Sequence, residues 1–207
     1  MKLAGAFLTG NGVAENNVVA AKWFRKAADQ GDPVAENEIG IMFRVGDGVP
    51  RDKEEAVRWY AKAAKQGSPQ AMFNLGACYY NGDGVASNEY SAYAWFLLAQ
   101  EAGDAVANDA VKRSSATMSK RETADAFAHI GEMYDKGDDL PRSQERALLW
   151  LHKAAEIDSQ SKVLLASQLL KGTSSKYEEA FDLCRQAAKD YPPGENCLGY
   201  MYRKGLG

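Results

Sequence analysis

The chain has 207 residues, a net charge of −3 and a hydrophobic fraction of 45%. The weak negative charge gives no electrostatic reason to expect nucleic acid or an anionic membrane as a partner, and no apolar run is long enough for a transmembrane helix. The first residues, MKLAGAFLTGNG, begin like a signal peptide but fit the repeat pattern described below, so we interpret them as structure. The sequence therefore indicates a cytoplasmic protein, or a periplasmic one if a leader has been removed.

A repeated segment begins near the N-terminus and recurs along the chain. Three similar stretches open with a glycine-rich turn and continue into an amphipathic helix, at residues 10–31, 46–67 and 82–103. Their tryptophans, Trp23, Trp59 and Trp95, are each 36 residues apart. A fixed period of this length predicts a helical repeat protein, in which each unit packs only against its neighbours.

Each turn is preceded by a predicted first helix with a constant internal pattern. Counted back from the first glycine of the turn, the seventh residue is apolar, the sixth is small and the third is aromatic or leucine. Before Gly46 these residues are Ile39, Gly40 and Phe43. They share one face of a helix. We expect the small residue to let a second helix approach closely, and the aromatic residue to fill the groove beside it.

The predicted second helices follow the turns and contain alanine three residues before tryptophan. Ala56 and Trp59 form this pattern in the second unit. We expect each tryptophan to be buried and to lock its helix pair. Asp52 and Ser87 are suited to capping the second helices, and Pro33 to opening a first helix.

The period breaks after the third unit, because Gly137 follows Gly82 by 55 residues instead of 36. Residues 105–113 have a helical pattern, and the polar stretch 114–118 is predicted to interrupt it. Ser119 and Glu122 then match a capping box for a new helix. We predict an inserted helical segment that caps the first half of the array or bends its axis.

The sequence thus predicts one repeat array over residues 1–207. Its segments are regular units at 1–31, 32–67 and 68–103, an inserted segment at 104–121, degenerate units at 122–158 and 159–191, and a partial unit at 192–207. The turn at 172–175 is shortened. The helix before Gly205 has no second helix after it in the sequence. We expect one of its faces to be uncovered, unless further chain or a partner covers it or this end is frayed.

The chain resembles the Sel1-like repeat family. The closest similarity lies in residues 71–85, AMFNLGACYYNGDGV, and 56–67, AVRWYAKAAKQG. The resemblance implies an all-α fold, a right-handed superhelical solenoid of antiparallel helix pairs related to tetratricopeptide repeats. It also implies an adaptor that holds other proteins together. Some bacterial members are immunity proteins that bind toxic effectors.

The cysteines depart from the disulfide-rich members of that family. Cys78, Cys184 and Cys197 are odd in number and irregularly spaced, which argues against a disulfide framework. We expect each to behave as a small buried apolar residue.

The sequence predicts no catalytic, cofactor-binding or metal-binding residues. His129 and His152 lie in predicted helices without a second ligand at metal-binding spacing. The glycine turns lack the Gly-Lys-Ser/Thr of a phosphate loop, and residues 81–85 lack the carboxylates of a calcium loop. An enzyme or ligand-binding domain would need a convergent polar pocket, and none is evident, so we predict a protein that is not an enzyme.

A protein partner is predicted to bind in a concave groove lined by the first helices. The candidate residues stand nine, five, two or one residues before a turn glycine and include the aromatic, Arg and Asn side chains that interfaces favour. They are Asn37, Ile41, Arg44, Phe73, Ala77, Tyr80, Asn81, Glu132, Asp135, Lys136, Tyr200 and Arg203. Each could equally be an ordinary surface residue.

Two functions fit this groove. The first is a scaffold or adaptor that engages a peptide or domain, with no role for nucleic acid or membrane insertion. The alternative is a bacterial immunity protein that neutralises a toxic effector enzyme. The sequence leaves the oligomeric state open.

Overall fold

Helices and turns make up residues 1–172 and 176–206, the part of the chain that this computed structural model describes. The twelve helices found there are α1 (Lys2–Thr9), α2 (Asn17–Ala28), α3 (Pro33–Val45), α4 (Lys53–Lys65), α5 (Pro69–Asn81), α6 (Glu89–Glu101), α7 (Ala105–Thr117), α8 (Lys120–Lys136), α9 (Gln144–Ala155), α10 (Ser159–Leu169), α11 (Tyr177–Ala187) and α12 (Pro192–Lys204). No strand occurs in the described ranges, which confirms the all-α prediction. Most of the shortened turn predicted at 172–175 lies outside them.

The helices form two compact units, Met1–Ser114 and Ser115–Gly207. In the first unit α1 to α6 make three pairs, and each helix packs against the next. In the second unit α8 pairs with α9 and α10 with α11, while α12 packs against α10 and α11. Each unit is therefore a row of helix pairs, the local arrangement of a solenoid. We call α1, α3, α5, α8, α10 and α12 first helices, and α2, α4, α6, α9 and α11 second helices.

A glycine on the first helix lets the second helix of the same pair approach. A Cβ atom built on Gly40 would lie 2.7 Å from Cε1 of Tyr60, and one built on Gly76 would lie 2.7 Å from Cδ1 of Phe96. These distances are shorter than van der Waals contact, so any side chain at the glycine positions would displace the second helix. The predicted close approach is confirmed. The side chain that lies against the glycine belongs to the residue after the tryptophan, a position for which the sequence predicted no role.

Trp59 packs against the preceding pair. It joins the core cluster of α1 to α3, and the guanidinium of Arg25 lies 5.0 Å from its ring centroid. Trp59, Trp95 and Trp150 are each 3% exposed, whereas Trp23 is 39% exposed. The expectation that every tryptophan is buried is therefore wrong for Trp23.

The second glycine of the second and third turns, Gly48 and Gly84, lets consecutive repeats touch. Gly48 has a φ of +69°, and a Cβ atom there would lie 2.1 Å from the carbonyl oxygen of Asn17 at the start of α2. A Cβ atom built on Gly84 would lie 2.2 Å from the carbonyl oxygen of Lys53. The aspartate between the glycines adds a polar contact, since Asn17 Nδ2 donates to Asp47 Oδ1 over 2.7 Å. Glycine is required here both for its backbone conformation and for its missing side chain.

Capping residues were predicted correctly at two of three helix starts. The side chain of Asp52 caps α4, and Ser119 and Glu122 form the expected capping box on α8. The prediction for Ser87 is wrong, because the side chain that caps α6 is that of Asn88. Both residue types can accept from a helical N–H, so sequence alone did not separate two adjacent candidates.

The inserted segment is more regular than the sequence predicts. Residues 114–117 were expected to interrupt the helix, but α7 continues to Thr117. Ala107 and Ala110 are buried, and Ala110 packs with Ala92 and Phe96 of α6. The apolar face of α7 therefore extends the row of the first unit.

Two of the three cysteines are paired, which corrects the expectation from their spacing. Cys184 of α11 and Cys197 of α12 form a disulfide, with Cα atoms 5.5 Å apart. Their separation of 13 residues includes the short turn that reverses the chain, so the two residues face each other. Cys78 is free and buried, as predicted, and burial raises the pKa of its thiol to about 11.

Removing the buried tryptophan should destabilise the fold far more than removing its exposed counterpart. We expect Trp59→Ala to lower the free energy of unfolding by about 3–5 kcal/mol, because it leaves a large cavity between two pairs. Trp23→Ala, at the same motif position, should cost about 1 kcal/mol. Chemical denaturation of both variants measures the difference, and equal losses would contradict the packing assigned to Trp59.

The disulfide predicts the thiol count of the denatured protein. Without reductant, one thiol per chain should react with Ellman's reagent in denaturant, that of Cys78, and three should react after reduction. A Cys184→Ser variant serves as the control, because it should expose a second reactive thiol before reduction. Three reactive thiols in the unreduced wild type would show that the pair does not form.

Candidate functional site

The predicted binding residues occupy the same register on each first helix. These are the residues five, two and one before the turn glycine. On α5 these residues are Ala77, Tyr80 and Asn81. Sequence reasoning left out α10, where Ser167 and Lys171 stand at the corresponding positions. The repeat pattern would have found them, since Gly172 is the turn glycine of that unit.

In the first unit, Ile41 and Arg44 are half-buried on α3. The Nε atom of Arg44 donates to the phenol oxygen of Tyr60 over 3.3 Å. Burial raises the pKa of Tyr60 to about 12, so the phenol stays protonated at neutral pH. The hydrogen bond holds the guanidinium of Arg44 near α4 and orients it on the surface of α3.

Asn37 does not reach this surface. Its side chain is 6% exposed, and its Oδ1 atom accepts a hydrogen bond from Asn74 Nδ2 over 2.9 Å. The neighbouring carboxylate of Glu36 is also buried and accepts from Gln66 Nε2 over 2.7 Å. Burial raises the pKa of Glu36. The contact between Asn37 and Asn74 joins consecutive helix pairs, and the contact between Glu36 and Gln66 joins α3 to the end of α4 in the same pair. The surface proposed below therefore leaves Asn37 out.

On α5 the predicted residues differ in how exposed their side chains are. Phe73 is half-buried, and its ring centroid lies 5.4 Å from that of Phe96. Asn81 donates its side-chain amide to the carbonyl oxygen of Ala77 over 3.0 Å. Tyr80 is 57% exposed. Its large amphipathic ring is the most available contact on this helix.

In the second unit, Glu132, Asp135 and Lys136 line a cleft of about 200 Å³ between α8 and α10. Lys171 also lines it, with Nζ 3.4 Å from Asp135 Oδ2 and 2.7 Å from Gln168 Oε1. A cleft of this size is smaller than a typical small-molecule pocket and fits one side chain. Exposed ion pairs contribute little to stability, so a partner's charged group can replace Lys171 or Asp135 at small cost.

Tyr200 and Arg203, the last two predicted residues, are both exposed on α12. Tyr200 and Arg203 stand five and two residues before Gly205, as Ala77 and Tyr80 stand before Gly82.

None of the predicted binding residues is a histidine or lines a second, larger cavity. A cavity of about 920 Å³ at the start of α9 is lined by Arg146, His152 and Lys176 among others. His129 is half-buried on α8, and burial lowers its pKa. Over the described residues, no group of three potential ligands could hold a metal ion, and no helix combines the length and apolarity needed to cross a membrane.

Comparison with known proteins finds one family. The Sel1 repeat family model matches six segments of the chain, residues 1–32, 33–68, 69–104, 124–159, 163–190 and 195–207. No curated protein matches significantly.

Two solved structures are similar to the chain. One is c5321, a protective antigen present in uropathogenic Escherichia coli strains that displays an SLR fold. It is 28% identical in sequence to this chain, with a TM-score of 0.49. The match covers 100% of this chain and 41% of that protein. The other is a Sel1 repeat protein from Oxalobacter formigenes, 28% identical, with a TM-score of 0.48, over 91% of this chain and 71% of that one. The chain thus spans less than half the length of c5321.

Proposed function

The chain belongs to the Sel1 repeat family, and we propose that it is a non-enzymatic scaffold that binds another protein along its first helices. Sel1 repeats generally mediate protein–protein interactions. The proposed contact residues, which we call the first-helix surface, are Ile41, Arg44, Ala77, Tyr80 and Asn81 in the first unit and Glu132, Asp135, Lys136 and Lys171 in the second. The observation that carries the proposal is the cleft between α8 and α10, which is lined at the register positions singled out from the sequence.

The composition of the α3–α4 pair supports this choice of face. The exposed residues of α4, a second helix, are all charged: Glu54, Arg58, Lys62 and Lys65. On α3, Ile41 and Arg44 are half-buried and Val45 is exposed. Interface cores are depleted of Lys and Glu and enriched in aromatic residues and Arg. In this pair the first helix therefore offers the better contact surface.

The two units would make different kinds of contact. In the first unit, Tyr80 provides a large ring with few rotatable bonds, which gains contact area at low entropic cost. In the second unit, the charges around Lys171 would select a partner side chain by charge and hydrogen bonding. A partner of the first unit would thus present an apolar segment, and a partner of the second unit would present a polar or charged side chain.

Photo-crosslinking can test which face binds. A photo-reactive amino acid placed at residue 80 or 136 should capture the same native partner in cells. The same substitution at Tyr90 or Leu149, which are exposed on second helices, should capture none. Capture only from residues 90 and 149 would overturn the proposed surface.

The captured partner then allows affinity measurements. We expect Tyr80→Ala to weaken binding by about tenfold or more, the range of an interface hot spot. The fold should be unchanged, because the ring of Tyr80 is exposed. Tyr90→Ala is the matched control and should leave affinity within about twofold. A single enzyme that is tightly bound and blocked would assign the inhibitor role, and several unrelated partners would assign the adaptor role.

A further inference from the structure

We propose that the cleft between α8 and α10 binds an arginine side chain of the partner protein. The proposal rests on the proposed function, because it names the chemistry of one contact on the first-helix surface. The cleft has a volume of about 200 Å³. The groups that argue for a cation are Asp135 on α8, Gln168 on α10, and Lys171 just after α10.

The cleft already holds a cation that belongs to the chain itself. The ammonium of Lys171 lies 3.4 Å from Asp135 Oδ2 and donates a hydrogen bond of 2.7 Å to Gln168 Oε1. Gln168 is only 5% exposed, so packing restricts the movement of its side chain. Two acceptors, one from each helix, thus converge on one positive group.

Lys171 is the exchangeable member of this arrangement. Its side chain is 63% exposed, whereas that of Asp135 is 29% exposed. Lys171 also lies beyond the last residue of α10, while Asp135 lies within α8. An exposed lysine gains little from a surface ion pair, because water solvates its ammonium well. The carboxylate and the amide oxygen are therefore the fixed part of the site, and the cation is the part that a partner can supply.

The rest of the lining fits the aliphatic part of a long side chain. Leu151 and Leu164 line the cleft, and Gly131 beside them adds no side chain of its own. Lysine and arginine place their methylene groups against apolar surface of this kind. Apolar residues and two acceptors in one small cleft therefore match a long cationic side chain.

Arginine suits these acceptors better than lysine does. A lysine from the partner would only exchange one ammonium for another. A guanidinium carries five N–H groups in a planar fork, so it can donate two hydrogen bonds to a carboxylate and still reach a further acceptor. Arginine is also less strongly hydrated than lysine and is enriched at protein interfaces. The guanidinium thus gains contacts that the ammonium of Lys171 does not make.

The carboxylate of Asp135 is specific to this repeat. Asp135 stands two residues before the turn glycine Gly137. On the other first helices that position holds Leu8, Arg44, Tyr80, Leu170 and Arg203. The cationic side chains among them would repel an incoming arginine. Helix α8 is therefore the first helix on which this position attracts a cation.

An anionic side chain is the competing occupant, because Lys136 and Lys171 also line the cleft. It would have to draw Lys171 away from its acceptors, and its charge would then lie beside the carboxylates of Glu132 and Asp135. Each lysine is also more exposed than the carboxylate with which it pairs. The cleft therefore favours a cation over an anion.

A small probe tests this chemistry directly. A capped pentapeptide with arginine at its centre and glycine elsewhere can be titrated into the isotope-labelled whole protein and followed by nuclear magnetic resonance. We expect saturable shifts of amide signals from α8 and α10. Lys171→Gln should tighten binding by about threefold or more, because it removes the competing ammonium. Asp135→Asn should weaken binding by about tenfold or more, because it removes the charged acceptor.

The matched control is Asp182→Asn on α11. Asp182 is also paired with a cation, Arg185, at 2.6 Å, but it does not line the cleft. Its substitution should leave the affinity for the arginine peptide within about twofold. None of the three substitutions removes packed apolar volume, so each variant should fold, which circular dichroism and a thermal melt verify.

The two occupants predict opposite effects of the same variants. If a peptide with glutamate in place of arginine binds, and Asp135→Asn tightens it while Lys171→Gln abolishes it, the cleft takes an anion and the proposal is wrong. Absence of arginine-peptide binding to both the wild type and Lys171→Gln would also overturn it. In that case, capture of the native partner from residue 136 would leave the proposed function standing. Capture only from residues 90 and 149 would overturn the proposed function itself.

Discussion

The contact between a glycine on one helix and a bulky side chain on the next determines the rest of this structure. Tyr60 over Gly40 and Phe96 over Gly76 leave no space for another atom. The two helices of a pair are therefore fixed at one distance and one register. Because the bulky residue follows the tryptophan directly in sequence, that register also turns Trp59 towards the preceding pair. A single close contact thus sets both the geometry within a pair and the stacking between pairs.

This arrangement separates the residues that build the fold from those that are free to vary. Gly48 and Gly84 in the turns and Gly40 and Gly76 in the first helices are fixed by contacts with backbone or ring atoms. The exposed positions just before the turn glycines are less constrained. They include Tyr80 in one unit and Lys136 in the other. Function can diverge there without a cost in packing, which is why the family fold alone does not identify a partner.

The same distinction explains what the sequence could predict. The period, the helix pairs and the glycine positions followed from residues that repeat, and the register of the binding surface followed with them. Contacts between neighbouring helix pairs were harder to predict, because they depend on which face of its helix a residue occupies. Sequence therefore placed Trp23 in the core and Asn37 on the surface. The pairing of Cys184 with Cys197 was missed because their spacing carries no repeat signal. Lys171 was missed because the register was not applied to α10, although its turn glycine, Gly172, could be recognised.

The proposed function follows from the variable positions. A partner of the first-helix surface would meet side chains that differ from unit to unit, so its specificity would be set by those differences. Mutations on that surface would then change the partner while the fold is retained.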